Sequence, residues 1–258
     1  MKDYLIDTHA HIDMEINENS TIQDIIAEMN EHGVKKAVIP AIEISTQDKV
    51  AELAESNENL YGMIGLFPSE AKTYTADFEE KMKQIAKNNK KIVAVGEIGL
   101  DYYWDKSFVD LQKEIFIKQI RMAKDLDLPI VVHDREAHKD CFDILSEENP
   151  AKGVLFHCFS GSTEFMKECI KKGWYIALGG VVTFKNAVKA KEAAREVPLD
   201  KLVLETDSPY LTPVPFRGKP NKPAYVRYVA EEIAKIRNMP LDELIDITTT
   251  NAERFFGI

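Results

Sequence analysis

The feature of this sequence that most constrains its fold is a regular alternation of short apolar runs with amphipathic segments. The runs are rich in Val, Ile and Leu and are almost continuously apolar, which is typical of parallel strands covered by helices. Eight such runs occur, at 4–7, 36–40, 60–66, 92–97, 129–133, 153–157, 174–178 and 201–205. Eight strands, each followed by a helix, predict an α/β protein with a (β/α)8 barrel as a single domain over residues 1–258.

The segments between the runs have helical spacing. One apolar stripe follows the i, i+3, i+4, i+7 pattern of a half-buried helix: Ile22, Ile25, Ile26 and Met29. Ser20 followed by Gln23 predicts a capping box at the start of this helix. A doubly wound open sheet is the alternative fold. The segment after the first strand reads Asp7-Thr8-His9-Ala10-His11, however, where that fold would carry a glycine-rich phosphate loop.

Charge and composition narrow the class of function. The 33 basic and 43 acidic residues give a net charge of −10, which argues against a broad basic surface that coats nucleic acid. A small, locally positive site remains compatible with this balance. No apolar run approaches the roughly 20 residues that span a bilayer, and the N-terminal segment turns acidic at Asp3 and Asp7 before any signal-peptide stretch. We therefore expect a cytoplasmic protein without a membrane partner, and no protein partner is evident.

Chemically versatile side chains follow several of the predicted strands. Histidine is scarce, yet four of the six histidines lie at strand ends, together with two carboxylates: His9, His11, Glu97, His133, His157 and Asp207. The C-terminal ends of barrel strands converge on one mouth, where active sites are built. Each of these residues shares the parity of the inward-facing residues of its own strand. We therefore expect all six side chains to meet.

Such a group is typical of a metal site. A single histidine at a strand end is more often a hydrogen-bonding residue than a ligand, but six candidates on five strand ends favour metal binding. Imidazole and carboxylate ligands suit Zn²⁺, Mn²⁺, Fe²⁺ or Co²⁺ better than Ca²⁺. Six ligands exceed the need of one tetrahedral ion, so a two-metal site with Glu97 bridging is the prediction.

Four motifs carry a resemblance to a known family. They are Asp7-Thr8-His9-Ala10-His11, Gly96-Glu97-Ile98-Gly99-Leu100-Asp101, His157-Cys158-Phe159-Ser160-Gly161-Ser162 and Glu205-Thr206-Asp207-Ser208-Pro209-Tyr210. As a set they strongly resemble the TatD-type metal-dependent deoxyribonucleases of the amidohydrolase superfamily. The resemblance extends from Asp7 to Phe256.

The resemblance implies a ligand set and an activity. It implies His9, His11 and Asp207 around one metal ion, His133 and His157 around the other, and Glu97 between them. The two cofactor ions would be divalent, with Zn²⁺, Mg²⁺ and Mn²⁺ as the candidates. It also implies hydrolysis of single-stranded DNA from the 3′ end, with DNA ends as transient partners.

A mechanism follows as a hypothesis. A metal-activated hydroxide attacks the phosphodiester, with Glu97 and Asp207 as the catalytic residues and Asp207 as the proton acceptor. Arg135 or Arg217 would neutralise charge on the phosphoryl oxygens. Tyr102 and the rings after it, Tyr103 and Trp104, could stack on bases.

One position departs from the family pattern. The family usually shows Gly-x-His-Pro after the third strand, where this chain reads Gly65-Leu66-Phe67-Pro68. A phenyl ring cannot donate a hydrogen bond to a phosphate, although it can face a base or another apolar group of the substrate. The alternative function is therefore an acyl or ester hydrolase of the same superfamily, such as an aminoacyl-tRNA deacylase or a cyclic amide or lactone hydrolase. A non-catalytic scaffold is disfavoured because all six ligand positions are filled.

Overall fold

A computed structural model describes residues 2–15 and 20–258 of the chain. Its strands are β1 (Leu5–Asp7), β2 (Val34–Pro40), β3 (Leu60–Ile64), β4 (Ile92–Asp101), β5 (Ile130–Arg135), β6 (Val154–Phe156), β7 (Tyr175–Leu178) and β8 (Leu202–Leu204). Its helices are α1 (Ile12–Glu15), α2 (Ile22–Glu31), α3 (Thr46–Ser56), α4 (Ala76–Asn88), α5 (Val109–Leu126), α6 (His138–Glu148), α7 (Thr163–Lys171), α8 (Val188–Glu196), α9 (Val226–Arg237) and α10 (Leu241–Phe256).

The strand order decides between the two predicted topologies. The strands follow one another in the sheet in chain order, from β1 to β8. The pairings β1–β2, β3–β4, β4–β5, β5–β6 and β7–β8 are parallel. A doubly wound sheet would reverse its order at a switch point. The sequential order therefore confirms the (β/α)8 prediction and excludes the open-sheet alternative.

The contacts of the chain group it into two compact units. One unit combines the described residues up to Ile39 with Cys158–Ile258, and the other is Pro40–His157. Each is described by itself below. The prediction of one domain over residues 1–258 stays a prediction, and it includes residues 1 and 16–19, which lie outside the described part of the chain.

The start of α2 corrects a detail of the sequence prediction. The capping box lies one residue later than predicted: the Thr21 hydroxyl accepts from the Asp24 amide at 3.3 Å, and the Thr21 amide donates to Asp24 Oδ2 at 2.9 Å. Threonine and aspartate make the same reciprocal pair as the predicted Ser20 and Gln23. The helix therefore begins at Ile22, and Ser20 lies before the cap.

Strand β4 is longer than its apolar run indicates. It extends past Glu97 to Asp101 and is buried along its whole length. Gly99 permits this, because a Cβ at this position would lie 2.0 Å from the His133 carbonyl oxygen. The absent side chain lets β4 pair with β5 in the register Gly99–His133 and Asp101–Arg135. The extension carries a second carboxylate, Asp101, beyond Glu97.

Two buried amides on α5 fix the loops beside this strand end. The Gln112 side chain accepts from the Asp101 amide at 2.9 Å and donates to the Asp101 carbonyl at 3.1 Å. The Gln119 side chain makes the same pair of bonds to Leu66, at 2.7 and 3.1 Å. Residues seven apart lie on one helix face. One face of α5 therefore positions both Asp101 and the loop that begins at Phe67.

In the unit that includes Cys158–Ile258, the loop after β8 is held by a buried asparagine. Asn221 is 1% exposed, and its side-chain amide donates to the carbonyl oxygens of Thr206 at 2.9 Å and Tyr210 at 2.7 Å. These bonds tie the segment that contains Asn221 to the strand end that precedes Asp207. Across residues 2–15 and 20–258, none of the helices combines the length and apolarity that crossing a membrane requires.

Candidate metal centre

The unit Pro40–His157 contains a compact cluster of three predicted ligands. Glu97 Oε1 lies 2.7 Å from His133 Nδ1 and 2.8 Å from His157 Nε2. The two imidazole nitrogens are 3.4 Å apart. Each side chain offers one atom that could ligate a metal ion, and these atoms lie within 4.8 Å of one another. Glu97 and His157 are buried, at 3% and 5% exposure, so the cluster is shielded from bulk water.

A further carboxylate sets the orientation of His133. Asp101 Oδ2 lies 3.0 Å from His133 Nε2, while Asp101 Oδ1 accepts the backbone N–H groups of Tyr103 and Trp104. Burial works against the charge of Asp101, but the bond from His133 and these amides outweigh it and lower the pKa of Asp101. Burial also disfavours a charged His133, yet Asp101 and Glu97 prevail and raise its pKa.

This arrangement fits a metal ion. In the neutral imidazole of His133, the Nε2 hydrogen is directed to Asp101 and the lone pair of Nδ1 faces the Glu97 carboxylate. A divalent cation could take the place of the second ring proton, because Nδ1 and the carboxylate oxygen can both serve as its ligands. An imidazole that donates its other N–H to a carboxylate is the usual arrangement of a metal-bound histidine. The donor set of two nitrogens and one oxygen is suited to zinc-like ions.

The other unit holds the remaining predicted ligands. Asp207 Oδ1 lies 3.5 Å from His11 Nε2 and 3.9 Å from His9 Nε2. The two imidazole rings are 5.2 Å apart at 71° to each other. The atoms of these three residues that could ligate a metal ion again lie within 4.8 Å of one another. The predicted ligands thus form two clusters of three, one in each unit. The convergence of all six, with Glu97 as a bridge, stays a prediction.

The backbone around this second cluster is fixed by hydrogen bonds. The Asp207 amide donates to the His9 carbonyl at 2.9 Å, and the His11 amide donates to the Ser208 carbonyl at 2.9 Å. Asp207 itself has φ 56°, in the left-handed region that a non-glycine residue rarely adopts. The surrounding bonds hold Asp207 in this conformation, which turns its carboxylate towards His9 and His11.

Asp7 connects the two strand ends of this cluster. It is fully buried and accepts the Thr206 hydroxyl at 2.5 Å, the Thr206 amide at 2.9 Å and the His9 amide at 3.2 Å. Burial raises the pKa of Asp7 well above its ordinary value, against the effect of these hydrogen bonds. Its carboxylate thereby holds the chain before His9 and the chain before Asp207 together.

Three carboxylates of these surroundings are not among the predicted site residues: Asp7, Asp101 and Glu205. Glu205 is fully buried, and its Oε1 accepts the Cys158 amide at 2.6 Å. The alternation of side chains gave a signal for each of them. Asp7 lies two residues before His9, and Glu205 lies two residues before Asp207, so each shares a face with a predicted ligand. Asp101 shares the parity of Glu97, but the signal depends on β4 continuing past the end of its apolar run.

The predicted substrate-binding residues have defined positions. The Phe67 ring lies 4.5 Å from the His133 ring in an edge-to-face contact. The guanidinium of Arg135 lies 3.9 Å above the Tyr103 ring, and the guanidinium of Arg217 lies 3.8 Å above the Phe184 ring. The Tyr102 hydroxyl donates a hydrogen bond to Asp140 Oδ2 at 2.7 Å.

Replacing Asp101 with asparagine tests the role of this carboxylate. The amide keeps the shape but loses the charge that fixes the His133 tautomer. We expect affinity for one divalent ion to fall about 10- to 100-fold. Competition with a chromophoric chelator measures it. Asp242→Asn on the exposed surface of α10 is the matched control, and equal affinities in the two variants would contradict the assignment.

The comparisons with known proteins place this geometry in a family. The sequence profile described as TatD related DNase matches residues 6–257. The chain is 44% identical to an uncharacterized metal-dependent hydrolase, YabD, of Bacillus subtilis (strain 168), over 98% of this chain and 99% of the relative. It is 37% identical to an uncharacterized metal-dependent hydrolase, YcfH, of Escherichia coli (strain K12), over 99% and 96% of the two chains.

A solved structure agrees over the whole length. The crystal structure of YJJV, a TatD homolog from Escherichia coli K12, superimposes with a TM-score of 0.93 at 30% identity and covers 100% of both chains. Fold, ligand clusters and relatives together define a metal-dependent hydrolase with a (β/α)8 fold. Within that class the chain belongs to the TatD family.

Proposed function

We propose that this chain is a deoxyribonuclease that hydrolyses phosphodiester bonds of single-stranded DNA from the 3′ end. The observation that carries the proposal is the pair of histidine–carboxylate clusters, because phosphodiester hydrolysis by two-metal sites needs two such groups. The family profile, with its description as TatD related DNase, supports the same substrate. The candidate ions are Zn²⁺, Mg²⁺ and Mn²⁺, which these donors accept.

Asp207 is the residue suited to moving the proton. Its side chain is 15% exposed, whereas that of Glu97 is 3% exposed, so water reaches the Asp207 carboxylate more readily. Divalent ions on these ligand atoms would supply Lewis acidity and lower the pKa of water towards about 7. Asp207 takes a proton from the attacking water and returns one to the leaving sugar oxygen.

Glu97 and the arginines have supporting roles. The buried Glu97 carboxylate contacts both His133 and His157 through one of its oxygens, Oε1. Arg135 is exposed, and its guanidinium carbon lies 3.9 Å from the centroid of the Tyr103 ring. A guanidinium edge pairs two phosphate oxygens at once. Arg135 would therefore neutralise charge that develops on the phosphate.

A cleavage time course tests the proposal. A 5′-labelled single-stranded oligonucleotide is incubated with Mg²⁺, Mn²⁺ or Zn²⁺, beside an EDTA sample and the Asp207→Asn variant. We expect a ladder that shortens from the 3′ end and is absent from both controls. An intact oligonucleotide, with metal binding verified by elemental analysis, would refute the nuclease assignment.

A second candidate function is favoured by one contact. Phe67 places a ring without hydrogen-bond donors against His133, at 4.5 Å between ring centroids. Such a surface suits an apolar acyl group better than a phosphate. Competition between the oligonucleotide and an aminoacyl ester separates the candidates. Ester hydrolysis without DNA cleavage would establish the acyl hydrolase, and a Phe67→His variant would then be expected to bind phosphate esters more tightly.

A further inference from the structure

A cavity of about 360 Å³ lies in the unit that contains Asp207. Its walls include Cys158, Leu178, Gly179, Val181, Asn186 and Val188. The cavity lies between the chain after β6, the chain after β7 and the first turn of α8. Its volume is at the small end of the range of about 300–1,000 Å³ that is typical of ligand pockets. It therefore suits one small ring system.

The cavity adjoins the strand end that carries Asp207. The amide of Cys158, in its wall, donates to Glu205 Oε1 at 2.6 Å. Gly179, also in its wall, packs against the same carboxylate: a Cβ there would lie 3.4 Å from Glu205 Cγ. Glu205 precedes Asp207 by two residues. Two wall residues of the cavity thus contact Glu205, which lies two residues before the proposed proton acceptor in the chain.

The residues that line the cavity indicate which class of ligand it can bind. Leu178, Val181 and Val188 make it mainly apolar, and the Asn186 amide adds hydrogen-bonding capacity. Among the lining residues, all within the described part of the chain, Lys189 alone carries a charge. A phosphate needs more cationic partners than that. A flat heteroaromatic ring has apolar faces and polar edges, which match these walls.

We propose that this cavity binds the nucleobase of the 3′-terminal nucleotide. The inference rests on the proposed function, since it places the terminal base in a cavity whose wall contacts Glu205, while the phosphate binds outside the cavity. It also explains how an acidic chain recognises an end: the base is inserted in a pocket, and no broad basic surface is needed.

Cys158 offers a readout that does not depend on activity. It is half-buried in the cavity wall, whereas the other two cysteines of the chain, Cys141 and Cys169, are buried. Under native conditions N-ethylmaleimide should therefore modify Cys158 first, and mass spectrometry of peptides measures the rate. We expect thymidine and thymidine 5′-phosphate to slow the reaction, and deoxyribose 5-phosphate to leave it unchanged. Equal protection by all three, or protection by none, would overturn the proposal.

A variant whose side chain fills the cavity provides a kinetic test of base binding. Ala190→Phe adds bulk at a lining position of α8, and Glu192→Phe adds the same bulk at an exposed position of that helix outside the lining. With thymidine 5′-p-nitrophenyl phosphate, Ala190→Phe should raise KM at least about tenfold. With bis-p-nitrophenyl phosphate, which lacks a base, both variants should match the parent. An equal effect on both substrates would overturn the proposal.

The labelling result separates this inference from the proposed function. If the parent protein cleaves neither phosphodiester, the nuclease proposal fails, and protection of Cys158 by thymidine still decides whether the cavity binds a base. If the protein cleaves DNA but no nucleoside protects Cys158, the nuclease proposal stands and the base pocket is refuted.

Discussion

Asp207→Asn is expected to lower kcat for DNA hydrolysis by about 10²- to 10⁴-fold, which is the usual contribution of a positioned proton acceptor. The substitution keeps the shape of the side chain and the φ of 56°, which asparagine tolerates, but removes the basic oxygen near His9 and His11. Single-turnover cleavage of a labelled oligonucleotide measures the chemical step without product release.

Two comparisons make this result specific. Asp242→Asn, on the exposed surface of α10, should retain parental activity. Elemental analysis of Asp207→Asn should show that the cluster of Glu97, His133 and His157 still binds its ion, because none of its donors has changed. Parental activity in Asp207→Asn would remove this residue from the mechanism.

Glu97→Gln is expected to abolish binding of the ion held between His133 and His157. The neutral amide replaces the carboxylate whose Oε1 lies 2.7 and 2.8 Å from the two imidazoles, so the charge that retains a dication is lost. An ion present at 1,000 times its Kd adds about 4 kcal/mol to the free energy of unfolding. For a chain of this size that corresponds to a rise in Tm of roughly 10 °C.

Thermal unfolding with and without metal tests this expectation. The parental chain should lose stability in EDTA and regain it when metal is added back. Glu97→Gln should retain only the share that the cluster of His9, His11 and Asp207 provides, whereas Glu243→Gln, exposed on α10, should respond like the parent. A full metal-dependent rise in Tm in Glu97→Gln would show that the ion is held elsewhere.

The positions of the candidate ligands were predictable because they depend on local patterns. His9 and His11 follow an apolar run and share its parity, and the structure brings them together with Asp207, about two hundred residues later in the chain. Parallel strands with alternating side chains lead to that result whatever the details of packing.

The supporting residues were not predictable for a physical reason. The bonds from Gln119 to Leu66 and from Thr206 to Asp7 join residues 53 and 199 positions apart. Sequence patterns report short periodicities and do not reveal which distant amide meets which carboxylate. The length of β4 depends in turn on the space that Gly99 leaves for the His133 carbonyl, so the role of Asp101 emerges only from the folded chain.

The carboxylate of Asp101 has a consequence for how binding events influence each other. One oxygen orients His133, and the other accepts the amides of Tyr103 and Trp104, residues that are 48% and 70% exposed. A ligand that displaces Tyr103 and Trp104 would therefore also shift the Asp101 carboxylate, which orients the His133 imidazole. By thermodynamic reciprocity, the factor by which such a ligand changes affinity for metal equals the factor by which metal changes affinity for that ligand. Ion occupancy and substrate affinity would then have to be measured together, since neither has a single value independent of the other.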